Sequence, residues 1–71
     1  MERAPVVSSN LAEVGFDPVT GTLEVAFKNG SVYEYYAVPS EVHAELMAAP
    51  SHGQYFDRRV KKAGYGYRRV M

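Results

Sequence analysis

Leu23-Glu-Val-Ala-Phe-Lys-Asn-Gly-Ser-Val-Tyr-Glu-Tyr35 is the stretch whose reading decides the fold. Leu23, Val25 and Phe27 alternate with Glu24, Ala26 and Lys28, the period of a half-buried strand, and Asn29-Gly30 closes a hairpin. Two registers compete. A two-residue turn pairs Phe27 with Val32 and puts Glu34 beside Val25 on the buried face. A three-residue loop, Lys28-Asn29-Gly30 with Gly30 left-handed at a bulge, pairs Phe27 with Ser31, Val25 with Tyr33 and Leu23 with Tyr35. It sends Glu24 and Glu34 to water. Because a slip of one residue moves every side chain to the other face, the burial pattern outweighs the usual turn of the dipeptide. The bulged loop is the expectation. It leaves Ala26, Val32 and Tyr36 on the outer face, where the chain ends can cover them.

Upstream, Ala12, Val14 and Phe16 alternate with Glu13, Gly15 and Asp17, a first strand over 12–17. Asp17-Pro18-Val19-Thr20-Gly21 is the turn that joins it to the second strand at 22–28. Residues 1–10 read as an extended lead-in, with Val6 and Val7 as a candidate edge strand.

Downstream, the third strand spans 31–37. Pro39 biases Val38 towards extended backbone, and Ser40 is a good cap for a helix over 40–49, with Val42, Leu46 and Ala49 on one face. Pro50 ends that helix. Ser51 and Gln54 have capping-box spacing, so a second helix runs over 52–63. Phe56, Val60 and Ala63 form its apolar stripe, and Arg58, Arg59, Lys61 and Lys62 spread over the opposite side. Tyr55 lies off the stripe, between Arg59 and Lys62. Gly64 stops the helix, and Tyr65-Gly66-Tyr67-Arg68-Arg69-Val70 alternates as a short edge strand or arm. The expected fold is α+β: a three-stranded antiparallel meander, two short helices packed on one face, and a possible C-terminal edge strand. The whole of 1–71 is one domain, with 1–10 leading in, 11–63 as core and 64–71 as a basic aromatic arm. The expected core is Val14, Phe16, Leu23, Val25, Phe27, Tyr33, Tyr35, Val42, Leu46, Phe56 and Val60.

Composition bounds the function. A chain of 71 residues is near the lower limit for folding without a staple, and it has no cysteine to supply one. Such a core holds only about 3–5 kcal/mol of net stability. Absence of cysteine fits a reducing, cytoplasmic compartment, and no apolar run approaches a membrane span. The zero net charge hides a division. Residues 1–57 hold two cations against eight acids, net −6, whereas 58–71 hold six cations and no acid. Either an anionic partner meets the tail, or the tail folds back on the acidic sheet as an internal dipole.

Several groups of residues together resemble the KTSC domain family. They are Val7-Ser8-Ser9, Val14-Gly15-Phe16-Asp17, Leu23 to Phe27, Asn29-Gly30, Tyr33-Glu34-Tyr35, Val38-Pro39, Ser51-His52-Gly53 with Tyr55-Phe56, Val60-Lys61, and Tyr65-Gly66-Tyr67-Arg68. Tyr-x-Tyr followed by Val-Pro and Ser-x-Gly-x-Tyr-Phe is the specific part of the match. Asp57 stands where the family pattern has asparagine. The resemblance implies a small bacterial domain that occurs alone or at the carboxy terminus of some lysyl-tRNA synthetases, with RNA binding as the functional expectation.

The residues themselves suggest a non-catalytic nucleic-acid-binding module, RNA before DNA. Its contacts would be Arg58, Arg59, Lys61, Lys62, Arg68 and Arg69 on phosphates, Tyr55 as stacking ring, and Tyr65 and Tyr67 on the arm. Single-stranded RNA or tRNA is the expected partner. The competing class is a protein-interaction module using the outer sheet face around Val32 and Tyr36, or an exposed strand edge. Tyr33 and Tyr35 can stack bases on an open sheet, but the register favours them as core. His43 and His52 lack partners at metal-ligand spacing, and no motif calls for a cofactor. Ser51, His52 and Asp57 sit too close on one capped turn to align nucleophile, base and orienter, so no enzyme activity is expected.

Overall fold

The computed structural model describes residues 1–71. Five strands form one antiparallel sheet in chain order: β1 (Ala4–Pro5), β2 (Leu11–Asp17), β3 (Thr22–Phe27), β4 (Val32–Tyr35) and β5 (Tyr67–Arg69). Between β4 and β5 lie α1 (Ser40–Ala48) and α2 (His52–Phe56), and α2 continues into a π-helical segment, Asp57–Lys61. The α+β expectation holds, with edge strands added on both sides of the three-stranded meander.

The bulged hairpin is present. Val25 faces Tyr33 and Leu23 faces Tyr35. The Phe27 N–H donates to the Ser31 carbonyl at 2.8 Å, and Gly30 has φ of 93°. Asn29 secures the loop with its side-chain oxygen, which accepts from the Ser31 N–H at 3.0 Å and the Ser31 hydroxyl at 2.6 Å. The Asp17–Gly21 turn also forms, with Gly21 N–H donating to the Asp17 carbonyl and Gly21 at φ of 72°.

The first strand departs from simple alternation. Leu11 faces Phe27 and Glu13 faces Ala26, so Ala12 is the extra residue of a β-bulge. The bulge turns Leu11 to the same side as Val14, and both are buried. Leu11 therefore takes the core position that strict alternation assigns to Ala12. The lead-in pairs through Ala4–Pro5, earlier than the Val6-Val7 expectation, and Val7 is 96% exposed. Pairing at Ala4 sets Arg3 beside Gly15. A Cβ on Gly15 would lie 2.6 Å from the Glu2 carbonyl oxygen and 2.9 Å from Arg3 Cγ, so glycine lets Arg3 lie flat across the outer face. From there its guanidinium reaches Glu13 at 3.2 Å and Glu24 at 3.3 Å.

The core lies between the sheet and the helices: Leu11, Val14, Leu23, Val25, Tyr35, Val38, Val42, Leu46, Phe56 and Val60. Phe16, Phe27 and Tyr33 are half-buried around it, and Phe16 stacks on His43 at 4.8 Å. Burial pushes the His43 pKa below its usual 6.5. Ala26 and Val32, on the outer face, are buried too, and the Val32 backbone exchanges hydrogen bonds with Val70 and Met71. The chain end thus reaches the strand it was expected to cover.

Both helices end sooner than their sequence patterns suggest. Ser40 sits inside α1 behind an extended Pro39 and hydrogen-bonds Glu41, so it does not cap the helix. At α2, Ser51 does cap: its hydroxyl accepts from the Gln54 N–H at 3.3 Å. The His52 ring nitrogen Nδ1 donates to the Leu46 carbonyl at 2.8 Å, tying the start of α2 to the last turn of α1. Beyond Phe56 the turn widens, and Lys62 N–H donates to the Asp57 carbonyl five residues back. Ala63 is consequently exposed and leaves the stripe, while Phe56 and Val60 stay in the core.

Two stability predictions follow from this packing. Leu11→Ala, at a fully buried site, should cost about 2–5 kcal/mol and leave much of the chain unfolded in urea titrations. Ala37, at φ of 57°, is a non-glycine residue in left-handed backbone. Ala37→Gly should raise the urea midpoint by the equivalent of about 1 kcal/mol.

Candidate nucleic-acid interface

The strand period divides the basic arm. In the β4–β5 register Tyr67 faces Tyr35, Arg68 faces Glu34 and Arg69 faces Tyr33. Tyr67 and Arg69 therefore share the helix side of the sheet with Tyr33 and Tyr35. Arg68 points to the outer face, 3.8 Å from Glu34, whose carboxylate also accepts from the Tyr36 hydroxyl at 3.0 Å. The six expected phosphate contacts do not form one patch.

On the helix side, at the open end of the core, lies a groove of about 390 Å³. Phe27, Tyr33, Tyr35, Phe56 and Tyr67 form its walls, with Asn10 and Lys61 completing the lining. The rings support one another. Tyr33 stacks on Tyr35 at 6.5 Å with planes 25° apart, and Tyr67 lies 5.7 Å from Tyr35 and 6.1 Å from Tyr33. Phe27 and Phe56 meet the tyrosines edge-on from below. Tyr35 is 6% exposed and belongs to the core, as its register predicts. Tyr33 is half-buried, and Tyr67 is 64% exposed. Burial, reinforced by the neighbouring Tyr33 and Tyr67 phenols, raises the Tyr35 pKa above 10.0.

Asn10 joins this groove to a polar cleft lined by Ser9, Ser51, Gln54, Asp57 and Arg58. Gly53 makes that approach possible, since a Cβ there would stand 2.6 Å from Asn10 Oδ1. On the other side Asn10 adjoins Lys28 and Asn29. Asn10, Phe27 and Lys28 are the residues that sequence reading missed as site candidates. Turn chemistry accounts for Asn10 and Lys28 locally, and nothing in their spacing brings them to a helix that begins 42 residues after Asn10 and 24 after Lys28.

Charges are paired unequally. Arg3, Lys62 and Arg68 meet carboxylates, Lys62 through Asp57 at 3.1 Å. Lys28, Arg58, Arg59 and Lys61 have no carboxylate within 4.0 Å, Arg69 donates from Nε to the Met71 oxygen at 3.1 Å, and all five are exposed. The basic tail is thus only partly folded back on the sheet's acids. No carboxylate lines the aromatic groove.

Tyr55 is not a free ring among cations. It is half-buried against the core, its hydroxyl donates to Glu45 at 2.6 Å, and the Arg59 guanidinium lies 5.8 Å from its ring centroid. Tyr65 is likewise half-buried on the core. A helical wheel assigns Tyr55 to the flank of the stripe, but α1 packs beside α2 and supplies Glu45 to that flank.

Comparison with known proteins matches the KTSC domain model to residues 7–65. An uncharacterized protein of Stutzerimonas stutzeri is 41% identical over 70 residues, 99% of both chains. The lysine–tRNA ligase of Nostoc sp. (strain PCC 7120) is 50% identical over 46 residues, which are 65% of this chain and 8% of the ligase. The crystal structure of a KTSC domain protein from Yersinia pestis superposes with a TM-score of 0.90 at 35% identity, covering 99% of this chain and 97% of that one.

The Tyr55–Glu45 contact has a titration signature. Burial first, then the hydrogen bond to the Glu45 carboxylate, pushes the Tyr55 pKa up to about 12. The neutral phenol is therefore favoured by folding, so its contribution to stability is complete below pH 10.0 and is lost as pH rises towards 12. Ultraviolet titration of tyrosinate should show one late step, and Tyr55→Phe should abolish it while flattening the alkaline loss of stability.

Proposed function

This chain belongs to the KTSC domain family, and we propose that it is a non-catalytic module that binds single-stranded RNA through the surface around Asn10. One observation carries the reading. Lys61, which meets no carboxylate, lines an aromatic groove that contains none, and Arg69 stands opposite Tyr33 at its edge with only its Nε engaged, on the Met71 oxygen. Lys28 and Arg58 extend the positive surface through the two clefts that share Asn10. Cations that no carboxylate side chain neutralises can meet phosphates, and the nucleic acid then gains by releasing its own condensed counterions. Aromatic walls beside those cations suit bases that are free of a duplex. The kinship with a segment of lysine–tRNA ligases supports an RNA partner, tRNA among them. Of the cations on α2 and the arm, Arg58, Arg59, Lys61 and Arg69 carry the interaction. Lys62 and Arg68 are occupied by Asp57 and Glu34.

A salt series tests the reading. If Lys28, Arg58, Arg59, Lys61 and Arg69 all meet phosphates, log K against log salt should fall no more steeply than about −3.5, from roughly 0.7 per phosphate on a single strand. Lys61→Gln and Arg69→Gln should each flatten the slope by roughly 0.7, and Lys62→Gln should change it much less. Absence of binding at low salt, or equal effects of Lys61→Gln and Lys62→Gln, removes the basis for this assignment.

A further inference from the structure

We propose that the aromatic groove is the seat of a single unpaired nucleobase, held against Tyr67 and Tyr33 with its phosphate towards Lys61; this rests on the RNA-binding reading above and assigns its stacking site. The walls are flat, and the tyrosine planes are inclined to one another by 25° to 43°, so a planar ring can lie along them with little rearrangement. The volume of about 390 Å³ falls in the range of small-ligand sites. A paired duplex hides its base faces in its own stack and cannot offer one to such a groove, whereas a single strand can do so without that cost.

The polar atoms at the rim are uncommitted. The hydroxyls of Tyr33, Tyr35 and Tyr67 make no hydrogen bond within the protein. Asn10 uses its carbonyl oxygen to accept from the Ser8 hydroxyl at 3.1 Å, leaving its amide N–H groups for an acceptor on a base edge. Charge complementarity selects the occupant. Lys61 is part of the lining, Arg69 stands opposite Tyr33 in the strand register with its Nε on the Met71 oxygen, and an acidic side chain is absent from the lining. A stacked base with an attached phosphate satisfies the rings and the cations together. Tyr55, with its hydroxyl and one ring face already engaged, does not serve as the stacking ring.

The test compares a short oligouridylate with an abasic single strand of the same phosphate count, with binding measured by titration and followed by the aromatic proton resonances. The oligouridylate should shift the ring signals of Phe27, Tyr33 and Tyr67. The abasic strand should bind about five- to 150-fold more weakly without those shifts. Tyr67→Ala should lose a similar factor with an unchanged salt slope, because stacking releases no counterions, and Tyr67→Phe should retain affinity. Tyr67 is exposed and its backbone carries the β5 pairing, so neither change removes core. The strand comparison uses the wild-type protein and does not depend on either variant folding. Equal, salt-dependent binding of both strands with silent ring signals would overturn the groove assignment while leaving the electrostatic reading intact. Failure of both strands to bind at low salt overturns the two together. Ring shifts produced by an aromatic or proline-rich peptide, and not by oligouridylate, would give the groove to a protein ligand instead.

Discussion

The pairing of Val25 with Tyr33 and Leu23 with Tyr35 is the constraint on which the rest of the molecule depends. It is set in three residues, Lys28-Asn29-Gly30, where glycine takes a left-handed conformation and Asn29 holds the far side of the loop through Ser31. A register displaced by one residue would send both tyrosines to the outer face and bring Glu34 into the core, at the cost of burying a carboxylate among aliphatic side chains. Because the register holds, Tyr35 closes the core while Tyr33 reaches the rim. β5 then reads its own register from β4 and inherits the same division.

That division explains how a chain with no net charge can present a positive surface. On the outer face Arg3 bridges Glu13 and Glu24, and Arg68 approaches Glu34. These acids are answered locally, mostly by Arg3, the residue before β1, which Gly15 allows to lie flat. Those acids are therefore not available to Arg58, Arg59 and Lys61 on the helix side, which meet no carboxylate. Such exposed ion pairs stabilise a fold by little, roughly 0–1 kcal/mol each. Their larger consequence here is spatial, because they hold the acids of the sheet, Glu13, Glu24 and Glu34, on the outer face and away from the aromatic groove.

The π-helical segment has a comparable role. It keeps Phe56 and Val60 buried while Lys61 emerges at the groove, and it ends on a Lys62–Asp57 pair. Insertions of this kind recur at functional sites. In this chain the widened turn also brings the helix to its end sooner, so Ala63 is exposed and the chain is free to return through Tyr65 to the β4 edge.

Short-range physics made much of this legible in the sequence. Period-two alternation marked the three central strands, Asp17-Pro18 and Gly21 marked the first turn, and Ser51 marked the start of α2. The burial pattern alone chose the bulged hairpin, since only one register kept Glu24 and Glu34 in water. The concentration of cations after Asp57 was equally plain. What the sequence could not carry was the meeting of distant segments. The bulge at Ala12 exists because Leu11 fills core space that only the assembled sheet and helices define. Arg68 and Arg69 are neighbours of like charge that a strand must send to opposite faces, and which of them took the groove side was decided by which residue of β5 met Glu34. Tyr55 lost its apparent freedom to Glu45, ten residues earlier on a helix whose docking angle no local pattern fixes. Asn10 reached the groove only when the hairpin, the lead-in and α2 packed together, because a site between elements is a property of their packing and not of any one period.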